Sequence, residues 1–118
     1  DGGCIVNISS TASLRGGGSS IPYAASKAAI NVMTMSLARV LAPKVRVNCV
    51  APAFTDTPWM SQHFGADYQQ VIAKASTGYP LQRIATPEDI AVAIVVLITG
   101  GDFVTGQTLL VDGGLSLS

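Results

Sequence analysis

The most constraining feature of this chain is a helix-length stretch, Pro22 to Leu41, that contains no glycine or proline after its first residue and lies between two short apolar runs. Alanine is abundant in it, and Pro22 sits in the first turn, where the missing N–H would have been unpaired in any case. Pro43 ends it. Cys4 to Ile8 precedes it, with the pattern of a strand buried on both faces, and Val45 to Val50 follows it, β-branched and nearly alternating. A helix between two such runs calls for a parallel strand pair joined by a crossover, because parallel strands cannot be joined by a tight hairpin.

Downstream, Ala53 to Pro80 has mixed polarity and several loop residues, with short helices expected around Thr57 to Phe64 and Asp67 to Ser76. It reads as a lid or substrate loop. Thr86-Pro87-Glu88-Asp89 is a helix start: a Thr N-cap, Pro in the first turn and two carboxylates at the positive end of the dipole. That helix should run to about Thr99, where Gly100-Gly101 stops it, and Thr108 to Val111 gives a last strand before the Asp112-Gly113-Gly114 turn. The fold class is α/β, a three-stranded parallel sheet with flanking helices and right-handed crossovers. Gly16-Gly17-Gly18-Ser19-Ser20 reads as a flexible loop.

Composition narrows the partners. Seven basic and seven acidic residues cancel and the cations are scattered, so the chain has no electrostatic footprint for nucleic acid or an anionic membrane. The apolar stretch Ile90 to Gly101 is too short for the roughly 18 to 20 residues of a membrane span and reads as a buried helix. Only 12% of residues are charged, against roughly 25% in an average domain, so much of the surface should be covered. Cys4 and Cys49 have apolar flanks and read as core thiols rather than a disulfide. The start at Asp1-Gly2-Gly3 looks cut, with no leader pattern, and a cytoplasmic location is expected.

Tyr23-Ala24-Ala25-Ser26-Lys27 puts a phenol and an ammonium one helical turn apart. A cation beside a phenol favours the phenolate, which brings such a group toward a pH where it can exchange a proton with an alcohol or carbonyl oxygen. The bland alternative is an amphipathic helix with a half-buried Tyr and a solvated Lys. Ser10, 13 residues upstream at a strand end, adds a third polar group that a glycine-rich loop could bring alongside. Ser9 reads as a strand-end residue satisfying backbone groups, the Asn7-Ile8-Ser9 sequon as chance, and His63 as a solvated or loop-packing residue. Trp59, Met60 and Phe64 could line an apolar pocket or simply cover core. A serine hydrolase built on Ser10 and His63 lacks a G-x-S-x-G elbow.

Taken in order, Ile5-Val6-Asn7-Ile8-Ser9-Ser10, the Tyr23/Lys27 pair, Val45 through Pro52, Ala53-Phe54-Thr55-Asp56-Thr57, Pro80 through Ala91, and Phe103 through Gly114 resemble the short-chain dehydrogenase/reductase family over essentially the whole chain. The resemblance implies a partial Rossmann-like, doubly wound parallel sheet: the C-terminal half of an NAD(P)-dependent oxidoreductase, residues 1–118, with 52–82 as its cofactor and substrate loop region. It implies Tyr23 as general acid/base, Lys27 as its helper and ribose contact, and Ser10 as the group that orients the substrate oxygen. Pro52, Ala53, Phe54, Thr55 and Thr57 would hold the cofactor, NAD or NADP. Ala53 stands where the family usually has glycine, which bears on how closely backbone can approach the nicotinamide. No metal is expected.

The G-x-G-x-x-G turn that places a pyrophosphate at a helix N-terminus is absent from the sequence. Gly16-Gly17-Gly18 is no substitute, since it precedes the Tyr23/Lys27 helix. The expectation is therefore a fragment or split partner of a longer enzyme, inactive by itself, needing a missing N-terminal half or a complementary chain, with self-association expected. Its substrate would be a small alcohol or carbonyl compound. The alternative is a non-catalytic self-association module derived from the same fold.

Overall fold

The computed structural model describes residues 2–117. Strand β1, Gly3–Ile8, leads through a short helix α1, Ala12–Arg15, into the long helix α2, Ile21–Leu41, and then strand β2, Val45–Pro52. Helix α3, Pro58–Phe64, a single 3-10 turn at Gly65–Asp67 and helix α4, Tyr68–Ser76, precede helix α5, Pro87–Thr99, and strand β3, Thr108–Val111. A 3-10 turn at Leu115–Leu117 follows. The strands form one parallel sheet in the order β1-β2-β3, with Ile8 opposite Val50 and Pro52 opposite Val111. The α/β parallel sheet expected from the alternation is present.

Strand periodicity divides the layers. Asn7 of β1 and Cys49 of β2 meet Thr34 and Asn31 of α2 through side-chain hydrogen bonds. Their neighbours Val6 and Val50 pack on the opposite face with Ile90 and Leu97 of α5. The two crossovers therefore cover opposite faces while stepping the same way across the sheet, so they have opposite hands. The expectation of right-handed crossovers throughout fails for one of them. That preference arises where a twisted strand feeds directly into a helix that packs back on the sheet, whereas the connection from β2 passes through α3 and α4 before reaching α5.

Three further expectations are corrected. β1 is not buried on both faces but is an edge strand, paired on one side by β2, with Ile5 and Ile8 exposed. α5 is not a buried helix: Ile90 and Leu97 face the core, while Val92, Val95, Val96 and Ile98 are exposed. The stretch after Ser10 is not simply loop, since Ala12–Arg15 makes one helical turn closed by Gly16 in the left-handed conformation.

The helix ends follow the sequence signals. Ser20 caps α2 by accepting from the Tyr23 N–H, and the helix stops as Ala42, ahead of Pro43, turns extended. Thr86 and Asp89 form a reciprocal capping box on α5. At the other end of α5 the Arg46 guanidinium donates to the carbonyls of Leu97 and Ile98 at 2.9 and 3.0 Å, placing a cation on the negative end of the helix. Asn48, fully buried in β2, donates to the Val104 carbonyl at 2.8 Å and accepts from the Gln107 N–H at 3.0 Å, which pins the approach to β3. Both cysteines are free, as read from their flanks. No helix is long and apolar enough to cross a membrane among the described residues.

Candidate active site

The carboxyl ends of β1 and β2 open onto a cleft of about 820 Å³. In parallel α/β sheets this is where ligands bind, and the volume lies in the range typical of small-molecule sites. Ser10, Tyr23 and Lys27 all line it. Pro52, Ala53, Phe54, Thr55 and Thr57 line the facing wall. The eight residues expected from the sequence to form the catalytic and cofactor set thus border one space.

Lys27 is held by the strand it follows. Its Nζ donates to the Ile8 carbonyl at 3.1 Å and sits 5.8 Å from the centre of the Tyr23 ring, within cation–π reach. Ser9, buried beneath, donates its hydroxyl to the Lys27 carbonyl at 2.9 Å, so the strand end and the helix turn are tied by two bonds of opposite sense. That is the strand-end structural role expected of Ser9. Tyr23 is 37% exposed, with its ring edge against the glycine loop. A Cβ on Gly18 would lie 2.9 Å from the Ala12 Cβ and 3.2 Å from Tyr23 Cδ1, and Gly18 has φ +101°. Only glycine lets this loop close on the phenol.

Ser10 accepts from the Ala12 N–H at 3.2 Å, while its carbonyl receives the Ser13 hydroxyl at 2.6 Å. Its hydroxyl therefore acts as acceptor within the α1 turn, and its own hydrogen can go to a ligand. Asn31 donates to Ser13 at 2.8 Å, which anchors α1 to α2.

On the facing wall, the Ala53 N–H donates to the Val111 carbonyl and the Phe54 N–H to the Tyr79 hydroxyl, each at 3.2 Å. Both amides are tied inward, away from the role of greeting a ligand. Tyr79 is buried, and burial raises its phenol above the ordinary value, with the charge of Asp112 acting in the same direction and the Phe54 bond against it. Thr57 caps α3 by accepting from Met60 N–H at 3.4 Å, so its hydroxyl retains a hydrogen to donate. Trp59 and Met60 line the cleft. Phe64, a third candidate for that wall, instead stands 6.4 Å from Phe54 and 6.5 Å from Tyr68, ring centre to centre. His63 stacks on Trp59 at 5.5 Å, the loop-packing role expected of it. The Asn7 amide of the sequon is engaged by Thr34 at 2.9 Å.

Sequence reasoning passed over Arg15, Tyr79 and Tyr68. Arg15 borders the cleft and donates to the Leu115 carbonyl at 2.6 Å. Tyr68 donates to Asp56. Burial, then the hydrogen bond and charge of Asp56, push the Tyr68 phenol up to about 12. A tyrosine in an otherwise polar segment, as Tyr68 is, was the one available signal. Among the described residues, no cluster of His, Cys, Asp or Glu could hold a metal ion.

A parallel sheet wound on both faces, with its cleft at the strand carboxyl ends, defines the Rossmann type. A family model described as enoyl-(acyl carrier protein) reductase matches residues 1–116. The chain is 41% identical over 115 residues to the short-chain dehydrogenase/reductase homolog YusR of Bacillus subtilis, covering 98% of this chain and 84% of that protein. It is 41% identical over 116 residues to the 3-oxoacyl-(acyl-carrier-protein) reductase FabG of Chlamydia muridarum, covering 97% of this chain and 45% of the reductase. The ligand-free aldohexose dehydrogenase of Thermoplasma acidophilum superposes with TM-score 0.89 at 36% identity, over 98% of this chain and 48% of the dehydrogenase. The chain belongs to the short-chain dehydrogenase/reductase family. It spans about half the length of the FabG and dehydrogenase chains it matches.

Proposed function

We propose that this chain is the C-terminal catalytic half, residues 1–118, of an NAD(P)-dependent oxidoreductase that interconverts an alcohol and a ketone or aldehyde. The observation that carries this reading is the convergence of Ser10, Tyr23 and Lys27 on one cleft at the carboxyl ends of β1 and β2.

The residues present fit the nicotinamide and ribose end of such a cofactor. Lys27 keeps ammonium donors beyond the one given to Ile8, and the wall from Pro52 to Thr57 is close-packed and partly buried. They do not supply the pyrophosphate end, because no G-x-G-x-x-G turn is present in the sequence. Bound there, the nicotinamide supplies or accepts a hydride at the substrate carbon. Tyr23 gives its hydroxyl proton to the substrate oxygen in reduction and takes it back in oxidation. Ser10 donates to the same oxygen, stabilising charge as it builds there. Lys27 faces the Tyr23 ring as a fixed cation and favours negative charge on its phenol oxygen during transfer. The apolar side chains Phe54, Trp59 and Met60 exclude water from one side.

The chain alone lacks a phosphate-binding half, so turnover requires that half, in the same polypeptide or a partner. Free Cys4 and Cys49 suit a reducing compartment, and the proposed location is the cytoplasm. The test is NAD(P)H oxidation with small ketones, by the chain alone and by the chain joined to the remaining N-terminal segment of one of the reductases it matches. Turnover is expected only in the joined protein and only with Tyr23 intact; equal turnover after Tyr23→Phe would end the assignment.

A second reading, a non-catalytic self-association module, is favoured by exposed apolar side chains on two helices, Val32, Met35 and Val40 on α2 and Val92, Val95 and Val96 on α5. Size-exclusion together with turnover of Tyr23→Phe separates the two, since a module keeps every property in that variant while an enzyme keeps its elution and loses turnover.

A further inference from the structure

The charges around the cleft are one-sided. Two cationic side chains line it, Lys27 and Arg15, and no carboxylate does. The ion pair between Arg83 and Asp89 is the one salt bridge among the described residues, and neither cleft cation takes part in it. Uncompensated cations beside low-dielectric walls concentrate positive potential in the space between them.

The two cations are held differently. Lys27 is fixed at the reacting end, bonded to Ile8 and facing Tyr23. Arg15 is the exposed last residue of α1, and a single bond of 2.6 Å from its Nη1 reaches the Leu115 carbonyl beyond β3. A guanidinium carries five donors in a planar fork, so this bond steadies the side chain and leaves donors for a planar acceptor. The same cleft is lined by the apolar side chains of Phe54, Trp59 and Met60 along with the hydroxyls of Ser10 and Thr57.

We propose that Arg15 is a specificity-determining residue and that the substrate is an anionic carbonyl compound, a ketone or aldehyde bearing a carboxylate on a short apolar spacer. This rests on the oxidoreductase reading of the same cleft. The carbonyl oxygen lies with Ser10 and Tyr23, the spacer against the apolar wall, and the carboxylate on Arg15. In reduction the hydride comes from the nicotinamide and the proton from Tyr23, and the carboxylate passes through unchanged.

Trp59 is the single tryptophan of the chain and lines the cleft, so its fluorescence reports occupancy. The joined protein, built with an N-terminal segment freed of tryptophan, is titrated with levulinate, with its neutral methyl ester, and with NADP+. Levulinate should saturate the signal at a concentration at least about tenfold below that of the ester, the size expected of one charge-assisted contact. Arg15→Gln should erase that preference, Arg15→Lys should restore part of it, and neither should alter the NADP+ response. Unchanged circular dichroism melts show that the variants fold. Equal binding of acid and ester by the unaltered protein, a preference that survives Arg15→Gln, or weakening of NADP+ in place of levulinate would overturn the proposal. The joined protein separates this from the underlying reading. Tyr23-dependent turnover with equal kcat/KM for acid and ester sinks the anion selection alone, whereas Arg15-dependent binding of levulinate with turnover indifferent to Tyr23→Phe supports the selection and sinks the oxidoreductase reading.

Discussion

The ammonium of Lys27 is bonded at 3.1 Å to the carbonyl of Ile8, the last residue of β1, and this contact ties the start of α2 to the strand end. It adds to the Asn7–Thr34, Cys49–Asn31 and Ser9–Lys27 hydrogen bonds that hold α2 against the sheet. The same bond orients the cation toward the Tyr23 ring. Structure and chemistry here share one side chain.

Tyr23→Phe should lower kcat/KM of the joined enzyme by at least about a hundredfold, the usual contribution of a positioned general acid. Its melting temperature should stay close to that of the parent, because Tyr23 is partly exposed and its hydroxyl has no hydrogen-bond partner among the described residues. Steady-state kinetics and a thermal melt on one preparation check both halves.

Gly18→Ala should harm the site more than the fold. The added methyl meets both Ala12 and the Tyr23 ring at a backbone angle unfavourable to L residues, a strain of roughly 1–2 kcal/mol. The loop must shift away from the phenol, so turnover should fall with only a modest change in the denaturant midpoint. A variant with full activity would show that the loop does not position Tyr23.

Asn48→Ala should cost roughly 1–3 kcal/mol in urea unfolding, since it leaves the Gln107 N–H without its partner and the Val104 carbonyl with only the longer 3.4 Å bond from Arg46, beside a side chain that is fully buried. The slope of the unfolding line should be unchanged if only the native state is affected. A loss within about 0.5 kcal/mol would mean that water replaces the amide.

Acid stability should depend on Asp89. The Arg83 hydrogen bonds, and then the Thr86 N–H, hold its carboxyl well below the usual range. A carboxylate depressed on folding stabilises fully above its unfolded value of about 3.9, and the contribution disappears as pH falls below it. Asp89→Asn should therefore flatten the melting-temperature profile between about pH 5 and pH 2. The pair is partly exposed, so salt should shrink the effect.

Alkaline stability should depend on Tyr68. Its phenol is pushed up to about 12 by burial and by Asp56, so the unfolded chain releases this proton first as pH rises. The stabilisation is complete below about pH 10 and is lost as pH climbs through the folded value. Ultraviolet titration of phenolate should show a late-ionising tyrosine that disappears in Tyr68→Phe.

Much of the architecture was legible because it is encoded locally. Pro22 and Pro43 bracket α2, and the Thr86 to Asp89 box starts α5 in the sequence as in the fold. Motif order relative to the strand ends is also what singled out, from the sequence, residues that line one cleft. What escaped depends on partners distant in sequence. Arg46 looked like the polar face of an alternating strand, yet it caps α5 more than fifty residues away. Asn48, the other polar residue among the valines of that strand, gave no sign that it is fully buried. Tyr79 gave no sign that its hydroxyl would hold Phe54.

The sequence by itself determined the alternation of strands and helices, the positions where helices begin and end, and the identity of the phenol, amine and hydroxyl. Those are properties of spacing, caps and breakers within a few residues of each other. Tertiary structure alone decided that the second crossover has the opposite hand to the first, that α5 leaves four apolar side chains exposed, and that Arg15 shares a cleft with Lys27 while no carboxylate among the described residues lines it. The physical reason is that burial and charge balance are set by which segments meet in space, and parallel pairing brings together residues that no local pattern connects.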